Sequence, residues 1–131
     1  MLGIRSIHHV ALLTTSDLYE TTKKFYTEIL GFTIVAEHFR SERDSYKLDL
    51  ALEGKYQLEI FSFPDYRERA SFPEAMGLRH LAFAVTDVRA GHEWLKKQQV
   101  KVEDVRKDPY TGKCFLFFYD PNNQPLELYE L

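Results

Sequence analysis

At 131 residues the chain is long enough for one ordinary domain with a real core, and 44% hydrophobic against 28% charged residues fits a globular protein, not a disordered one. A net charge of −3 gives no general attraction to nucleic acid or anionic lipid, and no apolar run approaches the roughly 20 residues of a membrane helix. Met1-Leu2-Gly3-Ile4-Arg5 lacks the apolar stretch of a signal peptide, and the single cysteine, Cys114, suits a reducing cytoplasm and rules out an internal disulfide.

Ile7 to Leu13 reads as a buried strand. Asp17 is expected to cap a helix, with Glu20 as capping-box partner; Leu18, Thr22, Phe25 and Ile29 recur at helical spacing and Gly31 ends it. Strands are expected at Thr33–Phe39 and at Ser45–Leu52, the latter with Tyr46, Leu48, Leu50 and Leu52 alternating on one face. Glu53-Gly54-Lys55 is a turn and Gln57–Ser62 the next strand. Phe63 to Met76, with Pro64, Pro73 and several charges, has no period and reads as a linker.

The order then repeats. Leu78–Val85 is a strand, and Asp87 caps a helix that carries Val88, Trp94 and Leu95 toward Gln99. Lys101–Arg106 is a strand, Asp108 to Gly112 a turn, and Lys113–Tyr119 a continuous apolar strand expected to be covered on both faces. Asp120-Pro121-Asn122-Asn123 is a turn, and Pro125–Glu130 the last strand. The chain is therefore expected to be α+β, a single domain over 1–131. Two βαβββ modules, near 5–63 and 78–131, would be joined by a linker over 63–77.

Each module opens on a histidine strand and closes on a glutamate strand. In Leu58-Glu59-Ile60 and Leu126-Glu127-Leu128 the aliphatics face one side and the carboxylate the other. A carboxylate inside a sheet protein is costly unless paired or metal-bound. Two carboxylates and two histidines placed at matching points of a duplicated scaffold can converge on one divalent ion, and that donor set suits Zn, Ni, Co, Mn or Fe(II). His8 competes with His9 for the first position, and alternation allows only one to point at the site. Val10-Ala11-Leu12 matches Leu81-Ala82-Phe83 in character, which aligns His80 with His9. His38 and His92 have no partner pattern and are expected at the surface. Cys114, with no base beside it, reads as a structural thiol.

These residues resemble the vicinal oxygen chelate superfamily of glyoxalases, bleomycin-resistance proteins and dioxygenases. The resemblance rests on His9-Val10-Ala11-Leu12, Phe25-Tyr26…Ile29-Leu30-Gly31-Phe32, Gly77 to Phe83, and Phe118 to Asn123 with Leu126-Glu127-Leu128. The segments Asp44-Ser45-Tyr46-Lys47, Glu59 to Pro64 and Asp108-Pro109-Tyr110-Thr111 look like its small bacterial glyoxalase-like proteins of the YaeR type. The resemblance implies a cup-shaped, mostly antiparallel eight-stranded sheet and a homodimer. It implies metal ligands at His9, Glu59, His80 and Glu127, and a Zn, Ni, Co or Mn ion in preference to Fe. It also implies a lyase or isomerase that takes a small oxygenated substrate through an enediolate, with Glu127 as the candidate base and Glu59 ligated or sharing that role. Glutamate at both acidic positions is similar to glyoxalase I. Ala11 stands where thiol transferases have threonine, and Leu13 where glyoxalase I enzymes have a glutathione-contacting arginine, which counts against glutathione as the thiol. Lys47, Asp49, Arg43 and Tyr110 are possible substrate contacts. The alternatives are a ligand-binding or resistance protein of this fold without chemistry, and a metal-dependent dioxygenase.

Overall fold

The computed structural model describes residues 1–131 and divides into two compact units, Met1–Arg67 and Glu68–Leu131. The architecture is α+β, with the eight strands arranged as two four-stranded mixed sheets, one per unit.

The first unit runs β1 (Val10–Thr14), α1 (Tyr19–Lys24), a π-helical turn over Phe25–Ile29, β2 (Thr33–Arg40), β3 (Ser45–Leu52) and β4 (Lys55–Ser62). Its strand order is β1-β4-β3-β2, with β1 parallel to β4 and the other pairs antiparallel. Leu48 and Leu50 on β3 and Leu58 and Ile60 on β4 point to one side and are buried, together with Tyr19, Phe25, Tyr26 and Phe32. Burying each such side chain contributes roughly 1.5–3 kcal/mol, so this apolar face is what fixes the register. The Tyr19 ring stacks on Tyr46 of β3 with centroids 4.4 Å apart.

Two sequence expectations need correction here. The pairing of β3 with β4 shifts register between Leu50 and Ala51, beyond which Ala51 is buried and Leu52 exposed, so the alternating stripe stops at Leu50. The first helix begins at Tyr19 and Asp17 does not cap it. Thr15 Oγ1 instead accepts the Leu18 N–H at 3.1 Å, so the chain completes a local turn before the helix starts. Gly31, at φ +86°, does follow the helix end in the left-handed conformation that glycine adopts without strain.

The second unit runs β5 (Leu81–Val85), α2 (Val88–Lys97), β6 (Arg106–Lys107), β7 (Cys114–Tyr119) and β8 (Pro125–Glu130), in sheet order β5-β8-β7-β6 with β5 parallel to β8. Asp87 caps α2 as expected, its Oδ1 accepting the Ala90 N–H at 3.0 Å. Val88 and Leu95 are buried, but Trp94 is 45% exposed and is not core. Gly91 lets α2 lie close on β8, because a Cβ there would sit 2.5 Å from Leu128 Cδ1. The expected strand over 101–106 reduces to a bridge between Val102 and Phe118 and the two residues of β6.

β7 is not covered on both faces. Leu116 and Phe118 are fully buried, while Phe115, Phe117 and Tyr119 are only half-buried. α2 contacts β7 and β8 and shields one face of the sheet; the rings on the other face stay partly open. The segment 63–77 contains no strand or helix beyond an isolated bridge between Ser71 and Glu74, and straddles the boundary of the two units. Neither helix is long and apolar enough to cross a membrane.

Candidate metal centre

Neither His9 nor His80 lies within a strand; each is the residue immediately before one, β1 and β5 respectively. Register does the rest. Ala11 of β1 pairs with Glu59 of β4, and Ala82 of β5 pairs with Glu127 of β8. Two residues earlier on the same face stands the histidine in each case. The small alanines leave room beside each carboxylate. The two units thus build the same pair from the same elements: His9 Nε2 is 3.3 Å from Glu59 Oε2, and His80 Nε2 is 2.9 Å from Glu127 Oε2. The carboxylates are 14% and 12% exposed, on the sheet face opposite the buried aliphatics.

The structure pairs His9, and not His8, with a glutamate. The His8 Nδ1 lies 2.8 Å from the His9 Nδ1, so one proton is shared between them, and the Tyr56 ring packs against both imidazoles with centroids 5.3 Å apart. His38 is exposed, and His92 faces Glu93 at 3.5 Å. Cys114 is a free, half-buried thiol.

The surroundings of the two pairs differ. Across from Glu59, β3 places Asp49, and two pairs further along, on the same face, places Lys47 opposite Phe61. The Lys47 ammonium bridges Glu59 Oε1 at 3.1 Å and Asp49 Oδ1 at 2.5 Å, and the Tyr56 hydroxyl donates to Asp49 Oδ1 at 3.2 Å. Burial alone would raise the Glu59 carboxyl, but hydrogen bonds from Tyr56 and Lys47 outweigh it and hold the group below the usual carboxylate range. Burial likewise opposes the Lys47 charge, and the bonds to Asp49 and Glu59 override it, so the ammonium is held more firmly than usual. The Tyr56 hydroxyl is pushed up by burial and by the same two carboxylates.

Around Glu127 the corresponding positions are aromatic. Phe117 pairs with Glu127 and Phe115 with Tyr129. The His80 ring meets Phe117 edge-on at 5.0 Å, and His80 Nδ1 is a buried atom with no hydrogen-bond partner. Arg106 lies over Phe115 at 4.9 Å, and Arg79 over Phe117 at 5.8 Å.

Among the other candidates, Lys47 and Asp49 stand against the site. Arg43 lies in an exposed turn and forms no ion pair. Tyr110 is 94% exposed on a loop that is tied to the site face, since Tyr129 donates to Asp108 Oδ2 at 3.0 Å and Asp108 Oδ1 accepts the Tyr110 N–H at 2.8 Å. The sequence reading missed Tyr56, Tyr129 and the paired arginines. Only the i, i+2 spacing of Tyr129 from Glu127 could have flagged one of them.

The donor set fits a divalent cation. Two ligand atoms about 2.1 Å from one ion stand roughly 3.0 Å apart at a right angle and roughly 3.4 Å apart at a tetrahedral angle. The two Nε2–Oε2 separations, 3.3 and 2.9 Å, lie at or next to that range. Neither unit gathers three or more His, Cys, Asp or Glu side chains at one point, so each pair supplies two ligands and no more.

The family model described as the Glyoxalase/Bleomycin resistance protein/Dioxygenase superfamily matches residues 6–128. The YaeR protein of Escherichia coli (strain K12) is 54% identical over 130 residues, 99% of each chain. A 2-epi-5-epi-valiolone epimerase of Actinomyces sp is 31% identical over 98% of this chain and 81% of its own. The crystal structure of a glyoxalase family protein from Enterococcus faecalis matches with a TM-score of 0.88 at 44% identity, over 96% of this chain and 98% of that one. The duplicated sheet, its matched histidine–glutamate pairs and these relationships together establish that the chain belongs to the Glyoxalase/Bleomycin resistance protein/Dioxygenase superfamily.

Proposed function

We propose that this protein is a metal-dependent lyase or isomerase of the glyoxalase I kind, acting on a small oxygenated substrate by moving a proton next to a carbonyl. The observation that carries this reading is the repeated imidazole–carboxylate pair, His9 with Glu59 and His80 with Glu127, at matched register in both units. These four side chains supply the protein ligands for a Zn, Ni, Co or Mn ion. When bound, such an ion supplies Lewis acidity toward substrate oxygens.

The chain's own residues do the rest. Glu127 takes the proton from the carbon beside the carbonyl, leaving an enediolate, and returns it to the neighbouring carbon. Its surroundings suit that task, because Phe117 and the His80 ring flank it and no lysine or arginine pairs with it. Glu59, held by Lys47, remains a ligand. Phe115 and Phe117 exclude water from the side of Glu127. Relation to an enzyme named an epimerase supports proton transfer over simple sequestration. Leu13, exposed on the Glu59 face, offers no cation for glutathione, so the thiol, if one is used, is a different one. A cytoplasmic homodimer completes the proposal.

The test is metal analysis of freshly purified protein, together with turnover of methylglyoxal hemithioacetals formed from several thiols. Stoichiometric divalent metal and turnover with at least one thiol are expected. Protein that neither retains nor takes up such a metal would sink the proposal.

A further inference from the structure

We infer that Lys47 is the electrophile of the site, a third-point contact that recognises negative charge on the metal-chelating end of the ligand. The inference rests on the metal-site reading above and adds to it a residue that would contact the ligand without touching the metal.

An ammonium has three N–H donors. Two of those on Lys47 are taken by Asp49 Oδ1 at 2.5 Å and Glu59 Oε1 at 3.1 Å, and no protein acceptor takes the third. The side chain is 27% exposed, so that donor is open to a ligand. Its position is fixed from two sides. Asp49 is itself held by the Tyr56 hydroxyl, and Glu59 Oε2 is turned to His9. A cation arranged in advance, at the oxygen of Glu59 that His9 does not use, lies within one side chain of any group bound beside that pair. It costs no reorganisation when charge develops there.

The other unit has no counterpart. Where β3 carries Lys47 and Asp49, β7 carries Phe115 and Phe117. The two pairs therefore differ in their surroundings: a cation beside Glu59, and aromatic rings beside Glu127.

A bystander lysine and a merely structural one predict different results. A positive charge near a divalent ion repels it, so its removal cannot weaken metal binding electrostatically. The experiment measures Mn²⁺ affinity of the full-length protein by titration, then affinity of the Mn²⁺-loaded protein for acetohydroxamate, a bidentate anionic chelate. Wild type, Lys47→Met and Lys47→Arg are compared. Lys47→Met is expected to bind Mn²⁺ as tightly as wild type or more so, and acetohydroxamate on the order of 10- to 100-fold more weakly, the range of one hydrogen bond to a charged group. Lys47→Arg should recover most of the loss, because a guanidinium keeps both charge and donors.

Unchanged acetohydroxamate affinity in Lys47→Met overturns the inference while leaving the metal site standing. Weakened Mn²⁺ binding in Lys47→Met also overturns it, by showing that Lys47 only braces Glu59. If wild type itself binds no Mn²⁺, both the metal site and this role for Lys47 fail.

Discussion

Replacing His9 and His80 by alanine one at a time asks whether the two pairs serve a single ion. At a free metal concentration about 100-fold above Kd, binding to the native state adds about 2.7 kcal/mol. Unfolding entropy near 2.1 cal/mol/K per residue over 131 residues is about 0.28 kcal/mol/K, so saturating Mn²⁺ or Ni²⁺ should raise Tm by about 10 °C. Loss of a direct ligand should weaken binding at least as much as the upper end of outer-shell substitutions, about 100-fold. At the same metal concentration the added stability then falls to about 0.4 kcal/mol, a shift of roughly 1–2 °C. His80→Ala has a second effect. The Glu127 side chain is 12% exposed and has His80 as its partner, so the metal-free variant starts lower by roughly 1–3 kcal/mol. Each variant must therefore be compared with its own metal-free form, by scanning calorimetry in chelator and in excess metal. If His80→Ala keeps the full shift while His9→Ala loses it, the second pair is no ligand and the four-donor reasoning is wrong.

Glu127→Gln, which keeps an oxygen at the ligand position but loses its charge, should show a smaller metal-induced Tm rise and, when fully metal-loaded, lose roughly 10²- to 10⁴-fold in kcat on any hemithioacetal the wild type turns over; near-normal kcat in metal-loaded Glu127→Gln would mean another group is the base. Glu37 is held below its ordinary carboxylate value by Lys23 and Tyr19, so its contribution to stability is present above pH about 4.5 and is lost as pH falls through the depressed folded value. The gap in urea midpoint between wild type and Glu37→Gln should accordingly be fully open at pH 7 and narrow as pH falls below about 4.5, and a gap independent of pH would contradict this. Asp87→Ala should cost about 1 kcal/mol by removing the cap on α2, whereas Asp17→Ala should change the urea midpoint little because Asp17 caps nothing. Equal losses at the two positions would show that the caps have been misassigned.

Much of the site could be read from local pattern, because it is carried by short-range periodicity. Period-2 alternation put Glu59 and Glu127 opposite the aliphatics of their own strands, and the match of Val10-Ala11-Leu12 with Leu81-Ala82-Phe83 selected His9 over His8. The errors came where a neighbour outside the local stretch decided the outcome. Trp94 has helical spacing but is half-exposed, and the run over 113–119 looked doubly covered because its sequence cannot show that a helix packs on one side only. The register shift after Leu50 is a matter of pairing between β3 and β4, and Leu52 beyond it is exposed against its apolar character.

What the sequence determined by itself is the duplicated order of elements and the four candidate donor residues, since both follow from residue type and spacing along one strand. What only the tertiary structure decided is how those donors differ. Parallel pairing of β1 with β4 and of β5 with β8 brings each histidine to its glutamate across some 50 residues of chain. The third strand of each sheet then sets Lys47 and Asp49 beside one carboxylate and Phe115 and Phe117 beside the other. The charge around a carboxylate is a property of the strand hydrogen-bonded to it, and register between distant segments is not written in either segment alone.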